Sequence, residues 1–324
     1  MKKLLSVLLA VMMLTGVLSG CGTVSNDNSD TLSVVTTIFP EYDWVTNILG
    51  DNPAQADVTM LLDNGVDLHS YQPTADDIIK VSQCDLFIYV GGESDEWVED
   101  ALKEAANKDM IVINLLDVLG DAVKEEEVVD GMEAEEAEEA EEEEEVEYDE
   151  HVWLSLKNAV TLVGAIKDAL VKLDADHADT YIANADAYVE QLNTLDRSYQ
   201  FVADNAKNKT VLFGDRFPFR YLTDDYGLTY YAAFVGCSAE SEASFETIAF
   251  LAGKVDELGL PAVLTLEGTE HKIAETVVAT TKAKDAQIMA MDSMQSTTSE
   301  DVKNGATYLS IMEKNLDVLN SALQ

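Results

Sequence analysis

The sequence predicts an α/β fold of two α/β lobes, each a parallel-type sheet flanked by helices, joined by one long linking helix. Three observations carry this. Strand-like and helix-like segments alternate from Leu32 onward, the strand segments are apolar throughout, and one helical stretch from Thr180 to Asn208 runs 29 residues without glycine or proline. Strands that are apolar on both faces belong to parallel sheets covered by helices. Ligands bind such open sheets beyond the carboxyl ends of the strands, so residues just after strands are the functional candidates.

In the first half, "LSVVTTIFP" is a β-branched strand closed by Pro40, and "EYDWVTNILGD" has helical spacing (Trp44, Val45, Ile48, Leu49) ended by Gly50. "ADVTMLL" is a strand, "TADDIIKVSQC" a helix capped by Thr74 with acids in its first turn, and "CDLFIYVGG" a strand. "SDEWVEDALKEAAN" reads as a helix capped by Ser94, and "DMIVINLL" as a strand. "SLKNAVTLVGAIKDALVKLD" is helical, and the long stretch after it would span ~40 Å at 1.5 Å per residue. The second half repeats the alternation. Its strands are "KTVLFGD", "LTYYAAFVG", "PAVLTLEG" and "AQIMAMDS", and its helices include "SFETIAFLAGKVDELG", capped by Ser244 and stopped by Gly259. "SEDVKNGATYLSIMEKNLDVLNSALQ" reads as a single closing helix.

The amino terminus, "MKKLLSVLLAVMMLTGVLSGCG", has two lysines, a short apolar run and small residues ending at a cysteine, the pattern of a secretory signal. Leu18-Ser19-Gly20-Cys21 resembles a bacterial lipobox, which implies cleavage before Cys21 and its acylation. That places the protein outside the cytoplasmic membrane, lipid-anchored or at the periplasmic face. The expected organisation is a signal peptide over residues 1–20, a lipidated tether over 21–31, an N-terminal lobe over 32–175, a linking helix over 176–206 and a C-terminal lobe over 207–324. No second apolar run approaches the ~20 residues that span a bilayer.

Twenty basic against 62 acidic residues give a formal charge of −42, and 17 of the acids fall between Glu125 and Glu150. Such a chain repels nucleic acid and anionic lipid and attracts cations. The Glu/Ala-rich segment 124–150 has no apolar face and is expected to be a mobile loop. After Cys21 only Cys84 and Cys237 remain, and no Cys-x-x-Cys pair exists, which excludes a structural zinc–thiolate cluster. Cys84 reads as a core thiol beside an apolar strand, and Cys237, after a glycine, as exposed.

Four histidines are present. His69 follows the strand "ADVTMLL", and His151 opens the helical region after the acidic run. Both therefore stand at element ends, where neutral imidazole, the usual protein ligand for zinc and related ions, can face a cleft. His177 and His271 sit in polar contexts and read as surface residues.

The pieces "TTIFPEYDW", "DLHSYQPT", "YVGGESDEW", "DEHVWLSLKNA" and "DDYGL" together resemble the zinc- or manganese-binding lipoproteins of ABC importers, the cluster A-I metal receptors. The resemblance covers nearly the whole chain after the tether. It implies a non-enzymatic, monomeric receptor that carries Zn2+, or Mn2+, in the cleft between the lobes to an ABC permease/ATPase. It also implies His69 and His151 as ligands from the N-terminal lobe and Asp292 in "MAMDSM" as a late carboxylate ligand. The third ligand, a histidine or glutamate in the family, falls here on Arg216, which has no lone pair to give. Asp215 is the neighbouring substitute, and Cys237, Glu240 and Glu242 are reserve candidates. Two other readings stay open: a metallohydrolase with an open His/His/Asp zinc site, and a relative that uses Arg216 for an anionic ligand.

Overall fold

The computed structural model describes residues 31–133, 147–238, 242–268 and 271–324. The expected signal peptide, Cys21, Glu240 and the middle of the acidic run lie outside the described residues. Leu32–Gln324 form one compact unit.

Strands β1 (Ser33–Thr36), β2 (Asp57–Met60), β3 (Leu86–Tyr89) and β4 (Ile111–Asn114) form an all-parallel sheet in the order β2-β1-β3-β4. Strands β5 (Thr210–Phe217), β6 (Thr229–Val235), β7 (Ala262–Leu266) and β8 (Gln287–Met291) repeat that topology as β6-β5-β7-β8. The crossover from one strand to its parallel neighbour needs a helix, and local chemistry starts each one. Helix α1 (Phe39–Leu49) opens with Pro40 in its first turn, earlier than "EYDW" suggested, because proline tolerates the position where an N–H has no partner. Helix α2 (Ala75–Gln83) begins on the expected Thr74 cap, paired reciprocally with Asp77.

Other elements depart from expectation. Helix α3 (Trp97–Lys103) starts at the Glu96 cap, so Ser94 lies in a short 3-10 turn ahead of it. A helix α4 (Leu115–Leu119), capped by Asn114, follows β4 directly. Helix α5 (Leu156–Leu173) is capped by Ser155. After the long helix α6 (Ala178–Asp204) come α7 (Arg220–Tyr226), α8 (Phe245–Leu258) on its Ser244 cap and α9 (Lys272–Thr280). The closing segment is two helices, α10 (Ser299–Lys303) and α11 (Tyr308–Ala322), broken where Gly305 takes φ 98°.

The 27-residue α6 buries Tyr181, Ala185, Tyr188, Leu192, Leu195, Tyr199 and Ala203, spaced three and four apart as one helical face requires. Buried tyrosines need partners for their hydroxyls. Tyr188 donates to Asp43 of α1 at 3.0 Å and Tyr199 donates to the Met312 carbonyl of α11 at 2.6 Å, so α6 is tied to helices that flank both sheets. Between α1 and α11, the rings of Trp44 and Tyr308 meet edge-on at 5.3 Å.

The pairing of β5 with β6 slips between Phe213 and Arg216. Such an irregularity re-aims the side chains that follow it. Gly214 sits in the slip, pressed so tightly against α9 that an added Cβ would lie 2.6 Å from the Ala274 Cα. The acidic run is not one mobile loop: its described ends are docked. Glu125 bridges Tyr148, Glu133 donates its N–H to the Ala233 carbonyl at 2.9 Å beside β6, and Met132 is buried.

Two outcomes follow from this packing. Gly214→Ala displaces α9 and lowers stability by about 1–3 kcal/mol, measured by denaturant unfolding; an unchanged midpoint contradicts the close approach. The second concerns pH. Burial raises Asp43 to about 6 and Asp95 to about 7, and burial together with the Asp292 carboxylate raises Glu267 to about 7. Below those values the folded chain holds three protons that the unfolded chain releases until pH ~4, so these groups stabilise the fold as pH falls. Burial depresses His69 to about 3, which acts in the opposite sense below pH ~6.5, but as one group against three. The metal-free protein is therefore expected to melt at a higher temperature at pH 5.5 than at pH 7.5.

Candidate metal centre

His69 lies in a 3-10 turn, Leu68–Ser70, beyond the end of β2. Asp67 caps this turn by accepting the His69 N–H at 3.1 Å, and fully buried Leu68 pins it to the core. His151 precedes the turn Val152–Leu154, all three residues of which are fully buried. The Trp153 indole N–H donates to the Ser293 carbonyl at 2.8 Å, and the Tyr308 hydroxyl donates to the Trp153 carbonyl at 2.6 Å. The apolar triplet after His151 is thus an anchor that leaves the imidazole no freedom to swing away.

The two imidazoles meet with Nε2 atoms 3.1 Å apart. His151 Nδ1 faces the Asp149 carboxylate at 3.0 Å, and an acceptor-only group there requires Nδ1 to carry the proton. His151 Nε2 is then a lone pair. Burial is the main cause that drives His69 down to about 3, so it is neutral at working pH. Its Nε2–H donates to His151, while its Nδ1 accepts from the Ser94 hydroxyl at 2.9 Å. A divalent cation placed at the shared point would replace that one proton. Tetrahedral Zn–N bonds of about 2.0–2.1 Å put two ligand nitrogens ~3.3 Å apart, so the rings already stand near coordinating separation.

The surroundings suit the proton's relocation. The Ser94 hydroxyl can rotate from donor to acceptor. Glu150 Oε2 is buried, without a hydrogen-bond partner among the described residues, and lies 3.5 Å from His69 Nδ1. It stands ready to accept an Nδ1–H once Nε2 binds a cation, the usual arrangement of carboxylate behind a ligating histidine. The site opens into a cavity of about 390 Å³ lined in part by Glu93, Glu126, Glu147 and Glu150, an anionic basin continuous with the docked ends of the acidic run.

The remaining candidates are distributed differently from expectation. Asp215 does not join the histidines. Within the slip in β5 its carboxylate accepts from the Thr265 hydroxyl at 2.7 Å and the Leu266 N–H at 3.1 Å, at the end of β7. Arg216, the next residue and so on the opposite side of the strand, pairs with Asp67 at 2.8 Å and donates to the Ser238 carbonyl at 3.3 Å. Asp292 also stands outside the cluster. Its Oδ1 accepts the Met294 N–H at 2.8 Å, and burial raises its pKa. Met294 takes φ 64°, and Gln295, the next residue, stands beside His69. The residue that does join the histidines is Cys237: the ligand atoms of His69, His151 and Cys237 all lie within 4.8 Å of one another. Burial and the carboxylates of Glu126, Glu150 and Asp149 push its free thiol far up, and it is half-buried rather than exposed as expected.

Cys84 is a buried free thiol pushed up to about 12 by burial, and its Sγ–H donates to the Val81 carbonyl. His177 pairs with Asp174 at 2.6 Å, and half-buried His271 shares a hydrogen bond with Thr265 at 3.0 Å, so neither joins the centre. Sequence reasoning missed Ser94, Glu126, Glu150 and Gln295 as parts of the centre. Ser94 and Gln295 follow strands and Glu150 flanks His151, whereas Glu126 lies inside the acidic run, and nothing in the local pattern says where a loop side chain points.

A family model described as "zinc-uptake complex component A periplasmic" matches residues 34–322. The chain is 31% identical over 312 residues to the high-affinity zinc uptake system protein ZnuA of Bacillus subtilis, covering 94% of this chain and 93% of that one. It is 30% identical over 294 residues to the zinc-binding protein AdcA of Streptococcus pyogenes, covering 89% of this chain and 55% of the relative, so it spans about half the length of that relative. The Zn(II)-bound ZnuA-like domain of Streptococcus pneumoniae AdcA superposes with a TM-score of 0.69 at 30% identity, covering 90% of this chain and 99% of that domain. The metal-dependent lipoprotein YcdH of Bacillus subtilis superposes with a TM-score of 0.71 at 28% identity over 90% of this chain and 99% of that one. Matched by the model over almost all its described length and by a relative of its own size, the chain belongs to the zinc-uptake component A family.

Proposed function

We propose that the protein is an extracytoplasmic receptor that captures Zn2+ between its lobes, His69 and His151 acting as ligands, and delivers it to an ABC permease/ATPase. The observation that carries this reading is the facing pair of imidazole Nε2 atoms, 3.1 Å apart at the edge of an acidic cavity. Nitrogen donors of this kind suit Zn2+ better than Mn2+, which prefers oxygen. The acidic basin raises the local concentration of cations at its mouth and falls in strength with salt.

Membrane attachment in this reading runs through an acylated Cys21. None of the described helices is long and apolar enough to cross a membrane. The pneumococcal relative AdcA is itself named a zinc-binding lipoprotein. Anion binding at Arg216 is the weaker alternative, because its guanidinium is already held by Asp67 at 2.8 Å. A hydrolytic role is weaker still, since the family is named for an uptake component.

Isothermal calorimetry provides the test. His69→Ala and His151→Ala are each expected to lose more than ~100-fold in zinc affinity, and Asp149→Asn, which weakens the support behind His151, about tenfold. Undiminished binding by both histidine variants overturns the reading. If the acidic basin concentrates the cation, raising salt from low to physiological slows zinc association in stopped-flow measurements while leaving the dissociation rate little changed.

A further inference from the structure

The position where the family resemblance implies a third ligand is occupied by Arg216, yet the centre is not left with two donors. Cys237 follows the carboxyl end of β6, the strand paired with β5, on the turn Gly236-Cys237. This turn is pressed on the His151 ring: a Cβ added to Gly236 would lie 2.8 Å from His151 Cε1. Only glycine lets the backbone come that close, and that approach carries the next residue's sulfur to the imidazole pair. The Cys237 N–H donates to Glu126 Oε1 at 3.3 Å, which fixes the turn from the side of the acidic run.

Arg216 has a place in the same arrangement. One arm of its guanidinium holds Asp67, whose other oxygen caps the His69 turn, and the other arm holds the Ser238 carbonyl next to Cys237. The residue that cannot coordinate therefore braces the two loops that carry His69 and Cys237. A buried atom without a hydrogen-bond partner among the described residues adjoins His69: Glu150 Oε2, 3.5 Å from His69 Nδ1. An unpartnered buried oxygen is costly, and the proton that a cation displaces onto His69 Nδ1 would satisfy it.

We propose that Cys237 is the third metal ligand of this chain, completing a His69/His151/Cys237 centre in which Arg216 serves as a clamp. The proposal rests on the receptor reading and sharpens its selectivity. As the cation binds, the Cys237 S–H bond breaks, the sulfur electron pair forms the metal–sulfur bond, and the proton passes to the adjacent Glu126 carboxylate or to water. A thiolate donor favours zinc and its softer neighbours and disfavours manganese.

The test uses the purified protein in reducing buffer with Co2+ and Zn2+ as probes. The wild type and Cys84→Ser are expected to show a sulfur-to-cobalt charge-transfer band in the near ultraviolet, and Cys237→Ser none. Cys237→Ser should lose at least roughly tenfold in zinc affinity and much less in manganese affinity. A readout without any variant is alkylation of the wild type by iodoacetamide, with bound zinc slowing modification of Cys237. If zinc binds in a histidine-dependent way but the cobalt band is absent and zinc leaves alkylation unchanged, Cys237 is not a ligand and the receptor reading stands. If neither metal binds the wild type, both fall together.

Discussion

The centre depends on one constraint: two imidazoles must be held and turned so that both Nε2 atoms point at one place. Imidazole does not take that arrangement unaided, because two lone pairs at 3.1 Å repel and one nitrogen must hold a proton between them. The protein maintains it by controlling the far side of each ring. Asp149 commits His151 to one tautomer, while Ser94 leaves His69 able to take either. The second ring thus retains the freedom that cation binding needs.

Holding the rings at that separation demands rigid supports from both sheets. His151 is fixed by Trp153, whose indole reaches the loop after β8 and whose carbonyl is held by Tyr308 of α11. His69 is fixed by Asp67, held in turn by Arg216 of β5. The binding point therefore sits where contacts between the two halves already converge. The long helix α6 underlies this through tyrosine hydroxyls bonded to α1 and α11, so a closed arrangement has little slack. Differential affinity for such a closed form is what would let a bound ion report its presence to a partner.

Much of the fold was legible because its signals are local. Continuous apolar strands, the Thr74 and Ser244 caps and the Gly50 and Gly259 stops each act within a few residues of themselves. The misreadings share a cause. Ser94 has the chemistry of a cap, but the chain spends three residues in a 3-10 turn first, and its hydroxyl goes to His69 instead. The acidic segment reads as a solvated run, yet Met132 and Glu133 find β6. Neither partner lies within reach of a local pattern.

The sequence by itself determined the two parallel sheets, the long helix, the surplus of negative charge and the pair of histidines at element ends, because periodicity, charge and residue chemistry are properties of the chain alone. The tertiary structure alone decided which third side chain meets them. Across a slip of register in β5 Asp215 turns toward β7 and Arg216 toward Asp67, and after a left-handed residue at Met294 it is Gln295 that stands beside His69. The direction of a side chain at a strand end changes with a single irregular residue, and that irregularity is set by distant packing, here Gly214 against α9.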